Sequence, residues 1–222
     1  MSRTLRWALV AGIIFIVFVV PVGYYRAVYG HSKRLRVIVP DHAYRMGQPF
    51  AVGLMDVVQR LHFKTIINVQ DDFPDPDLEW SFWDRRTVKE SDICKRLNVR
   101  YIALAPDLIS KREIPDHRPA AIDQFLDILD DPNAYPVLIH CKAGLHRTGV
   151  LSAVYRMEYQ GWSREEAYAE LRAHGFGDWV STYANDYITQ YVLTYKPGLR
   201  HGAVVGHPVT PPQEQAAASR LP

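Results

Sequence analysis

The stretch Val137-Leu138-Ile139-His140-Cys141-Lys142-Ala143-Gly144-Leu145-His146-Arg147-Thr148-Gly149 sets a short apolar run against a polar, glycine-containing turn. The apolar pattern Val150, Leu151, Val154 and Met157 follows at helical spacing. Val137 to His140 therefore reads as a buried strand, Thr148 to Tyr159 as a helix, and the turn between them as a loop that opens at a helix N-terminus. Backbone N–H groups from Cys141 through Lys142, Ala143, Gly144, Leu145 and His146 to Arg147, backed by the positive end of that helix, suit an anion. Gly144 permits the tight backbone path. The same donors favour thiolate over thiol at Cys141, and the thiolate is the nucleophilic form. Arg147, six positions on, is planar and permanently charged, so it can grip two phosphate oxygens at once. A cysteine and an arginine can fall at this spacing by accident, and a lone cysteine is often inert core. The strand, Gly144 and the helix supply the context the motif needs.

His140-Cys141, five residues, Arg147 and Thr148 resemble the signature of the protein tyrosine phosphatase superfamily, with every required position matched. The resemblance implies a cysteinyl-phosphate mechanism without a cofactor, in which His140 orients and tunes the loop and the Thr148 hydroxyl assists breakdown of the intermediate. From about Val37 to Tyr195 the chain is similar to the smaller, dual-specificity branch. Within the loop, Cys141-Lys142-x-Gly144-x-His146-Arg147 is similar to plant and fungal atypical phosphatases that cleave inositol pyrophosphates, and to loops used on phosphoinositides. Gly175-Phe176-Gly177-Asp178 is similar to bacterial exported tyrosine phosphatases. Lys142 and His146 could add positive charge beside a bound phosphate. The substrate implied is a phosphorylated protein or a polyphosphorylated small molecule.

Expulsion of the leaving group calls for a general acid. By resemblance it is an aspartate some thirty residues upstream of the cysteine, and Asp107 lies 34 positions before Cys141, directly after a candidate strand, Arg100 to Leu104. Asp116 is the runner-up and reads more readily as a helix cap near Pro119. The surroundings Ala105-Pro106-Asp107-Leu108-Ile109 depart from the family's usual pattern.

Outward from the loop, short extended segments are expected at Arg36 to Val39 and Ala43 to Met46, joined by a turn at Pro40-Asp41. A helix follows at Ala51 to Leu61, then a β-branched strand at Thr65 to Val69. Asp71 to Glu79, interrupted by Pro74 and Pro76, reads as a solvated loop before a mixed helical stretch ending near Leu97. Its acids lack the spacing of a calcium loop. Helices are also expected from Pro119 on, at Ser163 with its capping partner Glu166, and at Ala184 to Thr194. The fold class is α/β, a central, mainly parallel sheet of four or five strands with helices on both faces.

Trp7 to Tyr25 is an uncharged apolar run of 19 residues, near the ~20 that span a bilayer. It reads as a membrane anchor, with a cleaved signal segment as the alternative, although no clear cleavage site follows. The positive-inside rule sets Arg3 and Arg6 against Arg26, Lys33, Arg34 and Arg36, leaning to a cytoplasmic catalytic domain with export as the alternative. The expected division is a basic N-terminus 1–6, a membrane segment 7–25, a basic linker 26–36, a catalytic domain 37–195 and a disordered tail 196–222. With 26 basic and 24 acidic residues in 222, nothing suggests a nucleic-acid binder. Two cysteines exclude a multi-bridge secreted scaffold. Cys94 fits a helix face and reads as packing, with redox protection of Cys141 as the alternative. The histidines show no zinc-ligand spacing, and no metal is assigned.

Overall fold

A computed structural model describes residues 2–70, 73–104, 119–177, 186–200 and 203–204. The chain opens with one helical run made of α1 (Arg3–Ile14), a π-helical segment (Phe15–Val19) and α2 (Val20–His31). Strand β1 (Arg36–Val39) pairs antiparallel with β2 (Ala43–Gly47), and α3 (Ala51–Leu61) leads into β3 (Thr65–Asn68). After the small antiparallel pair β4 (Asp77–Glu79) and β5 (Thr87–Lys89) come α4 (Glu90–Arg96) and β6 (Arg100–Ala103). Helix α5 (Ala120–Asp130), β7 (Val137–Cys141), α6 (Arg147–Tyr159), α7 (Arg164–Ala173) and α8 (Asp186–Thr194) complete the fold, followed by the two-residue strands β8 (Leu199–Arg200) and β9 (Ala203–Val204).

The five-stranded sheet has the order β1-β2-β7-β3-β6 and is parallel except at the β1 edge. β7 lies at its centre, in register with β2 from Ala43↔Val137 to Gly47↔Cys141 and with β3 from Thr65↔Val137 to Asn68↔His140. Side chains alternate across a strand, so β7 supplies both layers of the core. Val137, Ile139 and Cys141 join the layer of α5, α6, α7 and α8, where Phe125, Leu126, Leu151 and Val154 pack. Leu138 joins the layer under α3 and α4, with Tyr44, Leu54, Ile66, Ile93 and Cys94. Full burial of such side chains stabilises by ~1.5–3 kcal/mol each. Strand β7 is thereby anchored from both sides, and its carboxyl end presents the loop.

Local chemistry accounts for the helix ends. Ser163 and Glu166 form the reciprocal capping box of α7, and Gly175 follows its end with φ 93°. The acidic stretch differs from the expected sequence of loop then helix. Leu78 is buried between the exposed Asp77 and the half-buried Glu79 and pairs with Val88, a two-residue alternation that favours a strand pair over a helical turn. The helix there is only Glu90–Arg96. The N-terminal run extends beyond the uncharged core at both ends, so residues 26–31 of the expected linker are helical. Residues 196–200 and 203–204 of the expected tail are described, and the Gly198 N–H donates to Glu158 Oε2 at 3.1 Å. The remainder lies outside the described residues.

Candidate active site

Cys141 ends β7 at the carboxyl edge of the sheet and is only 4% exposed. The Gly144 N–H donates to its Sγ at 3.2 Å, and its carbonyl accepts from the Gln48 N–H at 2.9 Å. Gly144 has φ +72°, and a Cβ there would lie 2.5 Å from Gly47 N. Only glycine fits both the left-handed backbone and the close approach of β2. Three residues on, α6 begins at Arg147, with the N–H groups of Gly149 and Val150 donating back to Leu145 O (3.1 Å) and His146 O (2.9 Å). The loop thus runs from a strand end to a helix start, as the sequence predicts, and presents Cys141 to the positive end of α6.

The predicted site residues occupy distinct places. Thr148 is wholly buried in the first turn of α6, and its Oγ1 lacks a hydrogen-bond partner, a free donor beneath the loop. Lys142 is exposed, with its ammonium 5.6 Å from the centre of the Phe73 ring. His146 packs edge-on against Phe176, ring centres 5.9 Å apart. Burial, then Arg147 and Arg34, hold His146 below the usual histidine range, so at neutral pH the loop's side-chain charge rests on Lys142 and Arg147. His140 points to the opposite face from Cys141, where its Nε2 lies 2.8 Å from Glu90 Oε1, with both side chains essentially inaccessible. The two groups are close but not aligned as a hydrogen bond. Asp107 and Asp116 lie outside the described residues.

Three side chains at the loop escaped the sequence reading. Glu90 sits in a charged stretch that resembles any solvated helix start. Arg45 is 2% exposed and donates from Nη2 to Gly144 O at 3.0 Å and from Nη1 to His174 Nδ1 at 3.3 Å. Its one signal was a charge inside a strand pattern. Arg34 donates from Nη1 to Ala143 O at 2.7 Å. Beside the loop opens a cavity of about 450 Å³ lined by Tyr29, Lys33, Gln48, Phe50, Phe73 and Lys142, among others. Burial, then Arg34, hold Lys33 below the usual lysine range, partly offset by Cys141.

No cluster of metal-binding side chains occurs among the described residues. Asp75 accepts from the Ser91 N–H and Oγ (3.0 and 2.8 Å), and Asp77 pairs with Lys89 at 2.9 Å, so these two acids serve the β4–β5 pair and the start of α4. Cys94 is 1% exposed and unoxidised in the layer opposite Cys141.

A sheet carrying a cysteine at its central strand end, an anion-binding loop and an arginine at the next helix start defines the class of cysteine-based phosphate cradles. Comparison with known proteins agrees. A family model described as the tyrosine phosphatase family matches residues 36–196, and the chain belongs to that family. It is 51% identical over 43 residues to the dual specificity protein phosphatase TpbA of Pseudomonas aeruginosa strain UCBPP-PA14, covering 19% of this chain and 20% of that protein. The matched stretch is thus about a fifth of that relative's length. The crystal structure of P. aeruginosa TpbA superposes with a TM-score of 0.50 at 28% identity, covering 70% of this chain and 83% of that one. The core catalytic domain of the PP-IP phosphatase SIW14 from S. cerevisiae, in complex with citrate, gives 0.53 at 20% identity over 74% and 86%. At that identity the second likeness shows the fold alone.

Proposed function

We propose that the chain hydrolyses phosphomonoesters through a cysteinyl-phosphate intermediate, as a protein tyrosine or dual-specificity phosphatase. The observation that carries this reading is the Gly144 N–H donated to Cys141 Sγ at the mouth of α6, with Arg147 opening that helix. In the first step Cys141 Sγ attacks phosphorus while the bond to the leaving oxygen breaks, and Asp107 gives that oxygen a proton. In the second, water attacks the cysteinyl phosphate, Asp107 takes the water's proton, and phosphate leaves with the thiolate restored. Backbone donors of residues 142–147 and the Arg147 guanidinium hold the equatorial oxygens as charge develops. Thr148 Oγ1, buried and unpartnered, would donate toward the sulfur as it departs.

Vanadate-sensitive phosphate release from a small aryl phosphate tests this, with Cys141→Ser expected to abolish turnover and persisting activity to overturn the assignment. Asp107→Asn should slow substrates with poor leaving groups most. A second reading, hydrolysis of inositol pyrophosphates or phosphoinositides, draws support from Lys33 and Lys142 in the cavity beside the loop. Rates on phosphotyrosine peptides, phosphoinositides and inositol pyrophosphates would rank the two.

We also propose that Arg3–His31 is a retained single-pass anchor. The 29-residue helix is long and apolar enough to cross a bilayer, and its outward side chains, among them Trp7, Phe15, Ile16 and Phe18, are more than half exposed. Its last turn is built into the domain, with the Phe50 N–H on Gly30 O at 2.9 Å and His31 Nε2 3.2 Å from Asp56. Cleavage after the apolar run would leave those contacts in place, so the length of the mature chain, full for an anchor and shortened for a signal segment, decides between the two. Arg34 and Arg36 are engaged by the domain, through Ala143 O and His174 O. Both acceptors are neutral carbonyls, so the two guanidinium groups keep their charge and the lean toward a cytoplasmic domain stands. Protease protection in intact cells reads the side directly.

A further inference from the structure

A cradle of inward N–H groups has an outer face of carbonyls, because a trans peptide sets its C=O opposite its N–H. Those carbonyls need donors of their own. Two guanidinium groups from outside the loop supply them, Arg34 to Ala143 O at 2.7 Å and Arg45 to Gly144 O at 3.0 Å. The peptide whose carbonyl Arg34 holds is the one whose N–H, on Gly144, reaches Cys141 Sγ at 3.2 Å. We propose that Arg34 is a positioning residue of the cradle, locking the Ala143–Gly144 peptide with its N–H toward the sulfur and making the segment after the N-terminal helix a working part of the site. The phosphatase reading above says what the cradle binds. The role of Arg34 rests on that reading only for its effect on turnover.

A second observation points to the same residue. Arg34 has φ 53°, a left-handed backbone that is unfavourable for a residue with a Cβ. Such a conformation persists where its surroundings impose it. Here the Gly47 N–H on Lys33 O (2.7 Å), the Leu35 N–H on Ser32 O (2.9 Å) and the Phe50 N–H on Gly30 O (2.9 Å) hold the turn on β2 and α3. The strained turn aims the guanidinium at Ala143. Glycine at 144 makes the alternative accessible, since a peptide beside it can turn over and face the anion with an oxygen. Arg34 opposes that flip. It lies two residues before the stretch that matches the family, residues 36–196.

Arg34→Gly separates positioning from folding, because glycine accepts the left-handed backbone while the donor is removed. In the full-length protein in detergent, kcat on a small aryl phosphate should fall roughly 10–100-fold, below or near the loss of one oxyanion donor, because Arg34 acts through the peptide. Vanadate should bind more weakly by a similar factor. Alkylation of Cys141 by anionic iodoacetate should slow several-fold relative to neutral iodoacetamide, with the melting temperature held. Arg34→Lys should recover part of each loss, and Arg26→Ala, a cation of the N-terminal helix that sits over the Phe82 ring, should match the wild type. A folded Arg34→Gly protein within about twofold of wild type in both kcat and the alkylation ratio would overturn the proposal. So would losses that follow the melting temperature and are not rescued by lysine. If the wild type turned over no phosphoester, the phosphatase reading would fall, and the alkylation ratio would still decide the role of Arg34.

Discussion

Cys94 and Cys141 are both unoxidised and both nearly inaccessible, at 1% and 4% exposure, yet they lie on opposite faces of one sheet in opposite electrostatic settings. Cys94 faces the α3–α4 layer with Glu90 and Asp75 near it, and burial, then those acids, push its thiol up to about 12. Cys141 ends the central strand under a donated N–H, at the start of α6, with arginines behind the loop. Burial is common to both. What separates an inert cysteine from a nucleophile is the sign of the nearest dipoles and charges. The largest effect expected is therefore an asymmetry between equal substitutions. Cys141→Ser should lower kcat by at least about 10³-fold, and Cys94→Ser should leave it nearly unchanged. Mass spectrometry after alkylation at neutral pH should find Cys141 labelled and Cys94 protected until denaturant is added.

Glu90 stands between the two. Its carboxylate raises the Cys94 thiol and lies 2.8 Å from His140, the residue before Cys141. Strand alternation sends His140 to the α4 side, so the residue before Cys141 is held from the face of the sheet that carries Cys94. Glu90→Ala leaves a buried imidazole without its charged partner and should cost about 3 kcal/mol, read from the shift in denaturant midpoint. It should also slow turnover. If both cysteines behaved as before, the two faces would be independent and His140 would need no partner there.

The sequence carried the Cys141 side of this comparison and missed its supports. The loop could be read because its chemistry is local: an apolar strand, Gly144 for a left-handed turn, and the helical pattern from Val150. The parallel sheet followed from the same alternation of strands and helices. Glu90, Arg45 and Arg34 act across 50, 99 and 109 residues, on His140, Gly144 and Ala143, and no periodicity marks a charge that will be buried by a distant strand. The β4–β5 pair was missed for a related reason. Three-residue strands show too little alternation to outweigh the charged residues around them.

The smallest predicted effect is set behind the loop, where Arg45 is held between Gly144 O and His174 Nδ1. Burial, then Arg45 and Arg36, lower His174 from 6.5 to about 4. Its Nδ1 must stay unprotonated to accept from Arg45. Above pH 6.5 the imidazole is neutral in both folded and unfolded chains, so it contributes no slope. Between 6.5 and about 4 only the unfolded chain takes the proton, so stability falls with falling pH and levels off below about 4. Because His174 is only about half-buried, solvent screening reduces the full linkage value, and the loss between pH 7 and pH 4 should be roughly 1 kcal/mol. His174→Gln cannot take the proton. Its melting temperature should change less with pH than that of the wild type over that window, while groups elsewhere titrate alike in both proteins. The Cys94 face, without this link to the loop, should show no such difference when Cys94→Ala is carried through the same pH series. Identical pH profiles for wild type and His174→Gln would show that Arg45 holds Gly144 without help from His174.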